Sequence, residues 1–313
     1  MVTKVGIIGF SKGNGHPFSF SAILNGYSSK EMQKSGWGEI QDYLDKKDSS
    51  DFGISNALVT HVWCQNRETS VAISKSCFVE NVVDNFEDMI GEIDAVIIAR
   101  DDYKSHFKIA KIFLENGLYV FVDKPLTLNI EELSYFKEYL EKNQLMSCSG
   151  FRYCIELDNV RHYYNNNNNN IKLINSIVIN DWEKYGVHML DAVLSFTSAL
   201  PISVKSIKTE KSFIYLINMD DGSLFSISTV GSAAKIFSIQ VIDENIRFDI
   251  EINDNFRAFK RTLSRFIKMA NGDVSDDSYK DTLISIKTLI AGKLSRDKGG
   301  EIFLEDLTME LEK

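Results

Sequence analysis

DAVIIARDDYKSHFKIAKIFLENGLYVFVDKPLT, residues 94–127, reads as strand, helix, strand. DAVIIA (94–99) is continuously apolar, as a strand is in a parallel sheet covered on both faces. Asp102 is placed to cap a helix through Asn116, and Gly117 stands just past its end. LYVFV (118–122) is a second apolar strand. Two apolar strands joined by a helix make a βαβ unit.

Working outward, the pattern repeats. KVGIIG (4–9) is a short apolar strand, and His16-Pro17 opens a helix, Pro17 suiting a first helical position. Residues 26–56 are polar and broken by Gly26, Gly36, Gly38 and Gly53, an insertion with a short helix around Ile40–Leu44. ALVTHVW (57–63) is the next strand, followed by a helix near Glu68–Ser76, a short strand around Phe78–Val79, and one turn of helix capped by Asn85. Asn129 with Glu132 resembles a capping box for a helix to about Lys142. Residues 1–150 therefore predict an α/β Rossmann domain with helices on both faces of a parallel sheet.

Past residue 150 the periodicity changes. Six asparagines at 165–170 are low in complexity and read as a loop tip. Then come a strand at 171–179, a helix at 184–197, strands at 203–209, 212–218, 223–230, 236–243 and 245–252, and helices at 255–270 and 278–294. Asp221-Gly222 marks a hairpin. Residues 151–313 predict an α+β domain with a large, mostly antiparallel open sheet.

Composition bounds the function. At 313 residues the chain exceeds one ordinary hydrophobic core, so two domains are expected. A net charge of −9 argues against nucleic-acid binding, which needs a basic face. It leaves room for an anionic cofactor bound locally at a helix N-terminus. No stretch reaches the roughly 20 apolar residues that span a bilayer. MVTKVGIIGF reads as a strand and not as a signal peptide. Cys64, Cys77, Cys148 and Cys154 form no CxxC pair, and read as reduced, buried thiols of a cytoplasmic protein. The five histidines show no ligand spacing, so no metal is expected.

Three motifs carry chemistry. VGIIGFSKGNGHP (5–17) is a glycine-rich turn between strand and helix, the place where a dinucleotide pyrophosphate is cradled. From Gly9, the frame has Ser11 and Asn14 where the second and third fingerprint glycines belong, with Gly13 and Gly15 as substitutes. The next strand ends in Cys64-Gln65-Asn66-Arg67 in place of the acidic residue that binds an NAD ribose. Gln65 or Asn66 can hydrogen-bond a ribose, and Arg67 can meet a 2′-phosphate, so NAD and NADP both stay open. Lys124, at the carboxyl end of a buried strand and aimed by Pro125, would point an ammonium into the ligand crevice and favour deprotonation of a substrate hydroxyl. His188 lies near a helix start, with Lys184 four residues before and Asp191 three after, on roughly one face. A histidine suits the proton transfer of a hydroxyl–ketone interconversion, and Asp191 is placed to orient its ring. His106, at the start of the helix after DAVIIA, is placed to line the same crevice as Lys124, whereas His61 reads as core and His162 as surface.

Together these residues resemble the glucose–fructose oxidoreductase / inositol dehydrogenase / MocA (Gfo/Idh/MocA) family. DAVIIARDDYKSH matches its DAVxIATPxxxH, Asp123-Lys124-Pro125 its Glu-Lys-Pro, and Gly186, His188 and Asp191 its Gly-x-His-x-x-Asp. Arg100 and Asp101 stand where Thr-Pro is common, and Lys184 where an aspartate is often found. The resemblance implies an NAD(P)-dependent oxidoreductase acting on a sugar, polyol or sugar-nucleotide hydroxyl, with Lys124 and His188 as catalytic residues; Lys184, a departure from the family pattern, is placed to act beside them. It implies a cofactor site of Gly9, Ser11, Gly13, Asn14, Gly15, Gln65, Asn66, Arg67, Arg100, Asp101, His106, Asp123 and Lys124. Substrate would meet Lys124, Arg152, Lys184, Tyr185, His188 and Asp191. The second domain's sheet would form a homodimer or homotetramer interface. Two other readings share the fold: a non-catalytic NAD(P)-binding or regulatory protein, and a non-redox enzyme with tightly bound NAD.

Overall fold

The structure is a computed structural model describing residues 2–54, 56–167, 170–275 and 278–307. The chain divides into two compact units that interlace in sequence. The first takes residues 1–126, 138–147 and 259–277, and the second 127–137, 148–258 and 278–313. The return to the second unit at Cys148 lies close to the expected boundary near 150. Segments 127–137 and 259–277, however, each belong to the unit opposite the one that boundary would assign.

The first unit is built on six parallel strands: β1 (Thr3–Ile8), β2 (Ala57–Trp63), β3 (Asn81–Val82), β4 (Ala95–Ile98), β5 (Tyr119–Val122) and β6 (Leu145–Met146). Their spatial order is β3-β2-β1-β4-β5-β6. That is the dinucleotide-binding order, in which the strand sequence reverses between β1 and β4 and ligands lie outside the carboxyl ends. All four residues of β4 are fully buried, which explains its unbroken apolar run. Helices α1 (His16–Asn25), α2 (Ser29–Lys34), α3 (Gly38–Leu44), α4 (Arg67–Cys77) and α5 (His106–Glu115) belong here. The insertion thus holds a second helix, α2, besides the expected one. Phe78 is not in a strand. It is the left-handed residue closing α4, and β3 begins three residues later. Asp102 does not cap α5, because its carboxylate is taken by Arg100.

The helix α6 (Ile130–Glu141) begins as read: the Asn129 side chain accepts from the Glu131 and Glu132 amides. Glu132 does not return the bond. Its carboxylate accepts from the Thr127 hydroxyl.

The second unit carries a seven-stranded sheet of β7 (Ile171–Val178), β8 (Pro201–Lys208), β9 (Phe213–Met219), β10 (Leu224–Thr229), β11 (Phe237–Asp243), β12 (Arg247–Glu251) and β13 (Glu301–Phe303). The order is β12-β11-β7-β10-β9-β8-β13, antiparallel except for β7 with β10. Gly222, with φ +84°, supplies the turn between β9 and β10. One face buries a row of Ile174, Phe225, Ile217 and Val204. The other carries Ile177, Ser228, Ile214 and Ile207, partly or wholly exposed. Helices α7 (Asp158–Asn166), α8 (Val187–Val193) and α10 (Tyr279–Lys298) complete the unit, and α9 (Asn255–Ala270) starts in it. The helix α7, which no local signal announced, carries the first two asparagines of the run, while Asn168 and Asn169 lie outside the described residues. The expected single helix at 184–197 is shorter: a π-helical turn over Trp182–Gly186 leads into α8.

Among the described residues no helix is long and apolar enough to cross a membrane, and no group of three His, Cys, Asp or Glu could hold a metal. All four cysteines are buried and outside any disulfide.

Candidate active site

In the first unit the site grows from the turn after β1. Gly9 packs so closely that a Cβ would meet Cys64 Sγ at 2.8 Å and Pro17 Cγ at 2.9 Å. Gly15 is as tight, with Ile40 Cδ1 2.3 Å and Trp37 Cε3 2.6 Å from a Cβ position, so the insertion packs directly on the turn. Gly13 holds φ +84° in open space. Ser11 and Asn14, at the fingerprint glycine positions, tie the turn to neighbouring strand ends. Ser11 Oγ donates to Asp101 Oδ1 at 2.6 Å, and Asn14 Nδ2 to Asp123 Oδ2 at 3.1 Å.

Gln65 and Arg100 brace the same turn. The Phe10 amide donates to Gln65 Oε1 at 2.9 Å, and the Gln65 amide returns a bond to the Phe10 carbonyl. Arg100 Nη1 reaches Gly9 O at 3.2 Å and Gln65 Oε1 at 3.0 Å, while Nε and Nη2 grip Asp102 at 2.8 and 2.7 Å. Asn66 spends its side-chain oxygen on the N-terminus of α4. Arg67 pairs with Asp84 at the surface.

A dinucleotide fits this turn. The α1 helix has no acidic residue in its first turn, so its dipole favours an anion there, although the His16 amide is taken by Asn14 Oδ1, Pro17 has none, and the Phe18 and Ser19 amides bond Gly15 O. Of the three glycines, Gly13 leaves its backbone open to close approach, whereas Gly9 packs on Cys64 and Pro17, and Gly15 on Ile40 and Trp37.

At the end of β5, Lys124 is only 5% exposed, in a Lys124-Pro125 segment whose peptide bond is cis. Burial opposes the charge of Asp123, yet the neighbouring charges of His16 and Lys124 hold its carboxyl well below the usual range. The His106 ring is fully buried among the carbonyls of Pro125, Leu126 and Arg100, at 3.0, 3.1 and 2.9 Å. Burial pushes its imidazole down, although the carbonyls to which it is bonded favour the proton. It ties the lysine segment to the end of β4.

In the second unit Asp181 opens the π-helical turn by accepting the Lys184 amide at 2.8 Å. Trp182 anchors that turn, stacked 3.9 Å from Tyr215 and donating to Leu289 O at 2.8 Å. Any Cβ on Gly186 would lie 2.7 Å from its ring, and one on Gly292 of α10 at 2.5 Å. The glycine of the Gly-x-His-x-x-Asp motif therefore makes room for Trp182. The Glu183 carboxylate takes both ends of Arg296, at 2.8 and 2.7 Å.

His188, 8% exposed, sits among Phe151, Tyr185 and Phe237, with ring centroids 4.8, 5.5 and 6.0 Å away. Its Nδ1 lies 2.6 Å from Ser149 Oγ. Asp191 supports that serine: Oδ2 accepts the Ser149 amide at 2.5 Å and Oδ1 the Ser285 hydroxyl at 2.7 Å. Burial pushes the Asp191 carboxyl up to about 6, against these hydrogen bonds and the Arg152 charge. Arg152 is itself paired with Asp281.

The structure thus brings Ser11, Asn14, Gln65, Arg100, Asp101 and Asp123 together around the turn. It gathers Tyr185, His188, Asp191 and Arg152 in the second unit. Sequence reading passed over His16, although it follows Gly15 directly, and missed Ser149, Ser285, Phe151 and Phe237, for which no local spacing exists.

Residues 35–151 match an oxidoreductase family with an NAD-binding Rossmann fold, Gfo/Idh/MocA. No curated protein matches the chain. Among solved structures it is similar to apo scyllo-inositol dehydrogenase from Lactobacillus casei, at 16% identity and TM-score 0.78 over 97% of this chain and 98% of that one. It is also similar to myo-inositol 2-dehydrogenase from Lactobacillus plantarum, at 14% identity and TM-score 0.76 over 97% and 99%. A probable dehydrogenase from Thermotoga maritima is alike at 13% identity and TM-score 0.74 over 97% and 100%. At such identities the likeness establishes the fold. A Rossmann unit followed by a mostly antiparallel sheet is the architecture that the sequence predicts.

Proposed function

We propose that this protein is an NAD(P)-dependent oxidoreductase moving a hydride between nicotinamide and the CH–OH carbon of a polyol, sugar or sugar-nucleotide. The reading rests on Lys124, a buried lysine at the carboxyl end of β5 in a 3-2-1-4-5-6 Rossmann sheet. Burying an amine is costly, so chemistry is the better account of it than packing. The L. casei scyllo-inositol dehydrogenase was crystallised with NAD(H) and scyllo-inositol, which supports both the cofactor and a polyhydroxylated substrate.

The nicotinamide, when bound, accepts or returns the hydride. The glycine turn, with the positive end of the α1 dipole behind it, would hold the pyrophosphate. Gln65, Asn66 and Arg67 lie at the end of β2, where the adenosine ribose of NAD or NADP is met. Lys124 polarises the reacting oxygen. His188, its Nδ1 engaged by Ser149, uses Nε2 for the proton. Lys184, Tyr185 and Arg152 orient the substrate, with Asp191 acting behind Ser149. The open sheet face bearing Ile177, Ile214 and Ile207 supports a homodimer or homotetramer. Buried thiols outside disulfides support a cytoplasmic setting.

The test pairs a fluorescence titration of NADH and NADPH with a polyol and sugar-nucleotide screen. The tighter-bound dinucleotide names the cofactor. Lys124→Ala should keep cofactor affinity and lower turnover about 10²–10⁴-fold. Unchanged turnover in that variant would remove the reading. Cofactor binding with no turnover on any substrate would favour a binding protein.

A further inference from the structure

Three side chains join the glycine turn to the residue before Lys124. His16 Nδ1 lies 2.5 Å from Asp123 Oδ2. Asn14 Nδ2 donates to the same oxygen at 3.1 Å, and Asn14 Oδ1 accepts the His16 amide at 2.8 Å. The other Asp123 oxygen accepts the Lys124 amide at 2.9 Å. The Asp123 side chain is 3% exposed and that of His16 20%. Phe20 stacks on the His16 ring at 4.8 Å and Phe259 meets it edge-on at 5.0 Å, so the ring is held on its flanks as well as at Nδ1.

Packing alone does not call for this arrangement. A buried carboxylate costs desolvation and is weak evidence of stabilisation, so its worth lies in where it fixes the chain. Here it fixes the backbone of the lysine on which turnover is proposed to depend. Asn14 matters most to the argument, because it occupies a fingerprint glycine position. A glycine there would allow close backbone approach but could hold neither His16 nor Asp123.

We propose that Asn14 and His16 are positioning residues for Lys124, acting through Asp123, so that the turn that receives the cofactor phosphates also sets the aim of the lysine. The role in turnover rests on the oxidoreductase reading, whereas the link itself does not. Positional errors near 1 Å at a reacting centre cost about 10²-fold in rate, which is the scale of effect such a link controls.

The test uses the full chain and three variants. Asn14→Gly brings the sequence nearer the fingerprint and is expected to impair it. His16→Ala removes the bond to Asp123. His16→Asn keeps an amide N–H close to where Nδ1–H stands. In cofactor-free protein, hydrogen exchange at the Lys124 amide should quicken about five- to tenfold in Asn14→Gly and His16→Ala, the worth of one hydrogen bond, and stay near wild type in His16→Asn. Turnover should fall about 10²-fold in the first two and largely return in His16→Asn. Unchanged Lys124 exchange in both disruptive variants overturns the proposal. So does a His16→Asn protein as impaired as His16→Ala, since the ring would then act other than through Asp123. If exchange responds but the wild-type protein turns over no substrate, the link stands and the oxidoreductase reading is what fails.

Discussion

Asp191→Asn should change how stability depends on pH. Asp191 is 2% exposed, and its carboxyl is raised from 3.8 to about 6, with burial as the largest cause. A rise of that size makes ionisation in the folded protein about 3 kcal/mol harder than in the unfolded chain. Because the folded value is the higher one, the folded state takes up a proton first as pH falls. The cost of ionisation is fully present above about pH 6 and is relieved progressively toward about pH 4. Asparagine carries no such cost at any pH. Its amide can turn so that the oxygen accepts the Ser149 amide and the nitrogen donates to Ser285 Oγ, at a loss of about 1 kcal/mol or less. The stability of Asp191→Asn relative to wild type should therefore fall by about 2 kcal/mol between about pH 7 and pH 4, approaching about 3 kcal/mol at still lower pH, other carboxylates cancelling in the difference. Urea unfolding at several pH values, followed by tryptophan fluorescence, measures it. A difference that stays flat with pH would show that Asp191 ionises normally in the folded protein and would refute the reasoning.

Other outcomes follow from single contacts. Ser149→Ala removes the partner of His188 Nδ1 and should lower kcat about 10–100-fold while leaving cofactor affinity alone, read by steady-state kinetics beside an NADH titration. Gly292→Ala would drive a methyl to about 2.5 Å from Trp182 and should cost about 1–3 kcal/mol in urea unfolding; no loss would mean that α10 shifts freely. Ser11→Ala and Asp101→Asn should each destabilise the protein by about 1–3 kcal/mol, and the double variant by less than their sum. Strict additivity in a double-mutant cycle would deny the contact.

Whatever depends on short-range periodicity was legible in the sequence. β4 and β5 are apolar runs of buried strands, and Asn129 caps its helix through amides two and three residues on. Lys124 and His188 stood out because each breaks an otherwise apolar or helical pattern. What escaped reading lies in pairs with no common local signal. Ser11 and Arg100-Asp101 look like two separate departures from the family pattern, yet Ser11 and Asp101 are partners across 90 residues. Asn14 meets Asp123 across 109. Ser149 reaches His188 because a 3-10 turn, Gly150–Tyr153, folds onto α8, which no spacing rule anticipates. The π-helical turn was read as plain helix, because its widening follows from room for Trp182 between two glycines on different helices.

The interlaced division of the chain bears on how this protein can be made and dissected. Phe259, which packs on His16 and Phe20, and Phe266, which packs on Phe121, belong to the first unit although they lie more than a hundred residues beyond its last strand. A fragment stopping at residue 150 would expose those aromatic faces and leave the His16 ring without one of its two flanks. During synthesis the first unit cannot close its core until residues 259–277 have left the ribosome, by which time most of the other half has emerged as well. Contacts so distant in sequence are slow to form, so both halves should mature late and almost together.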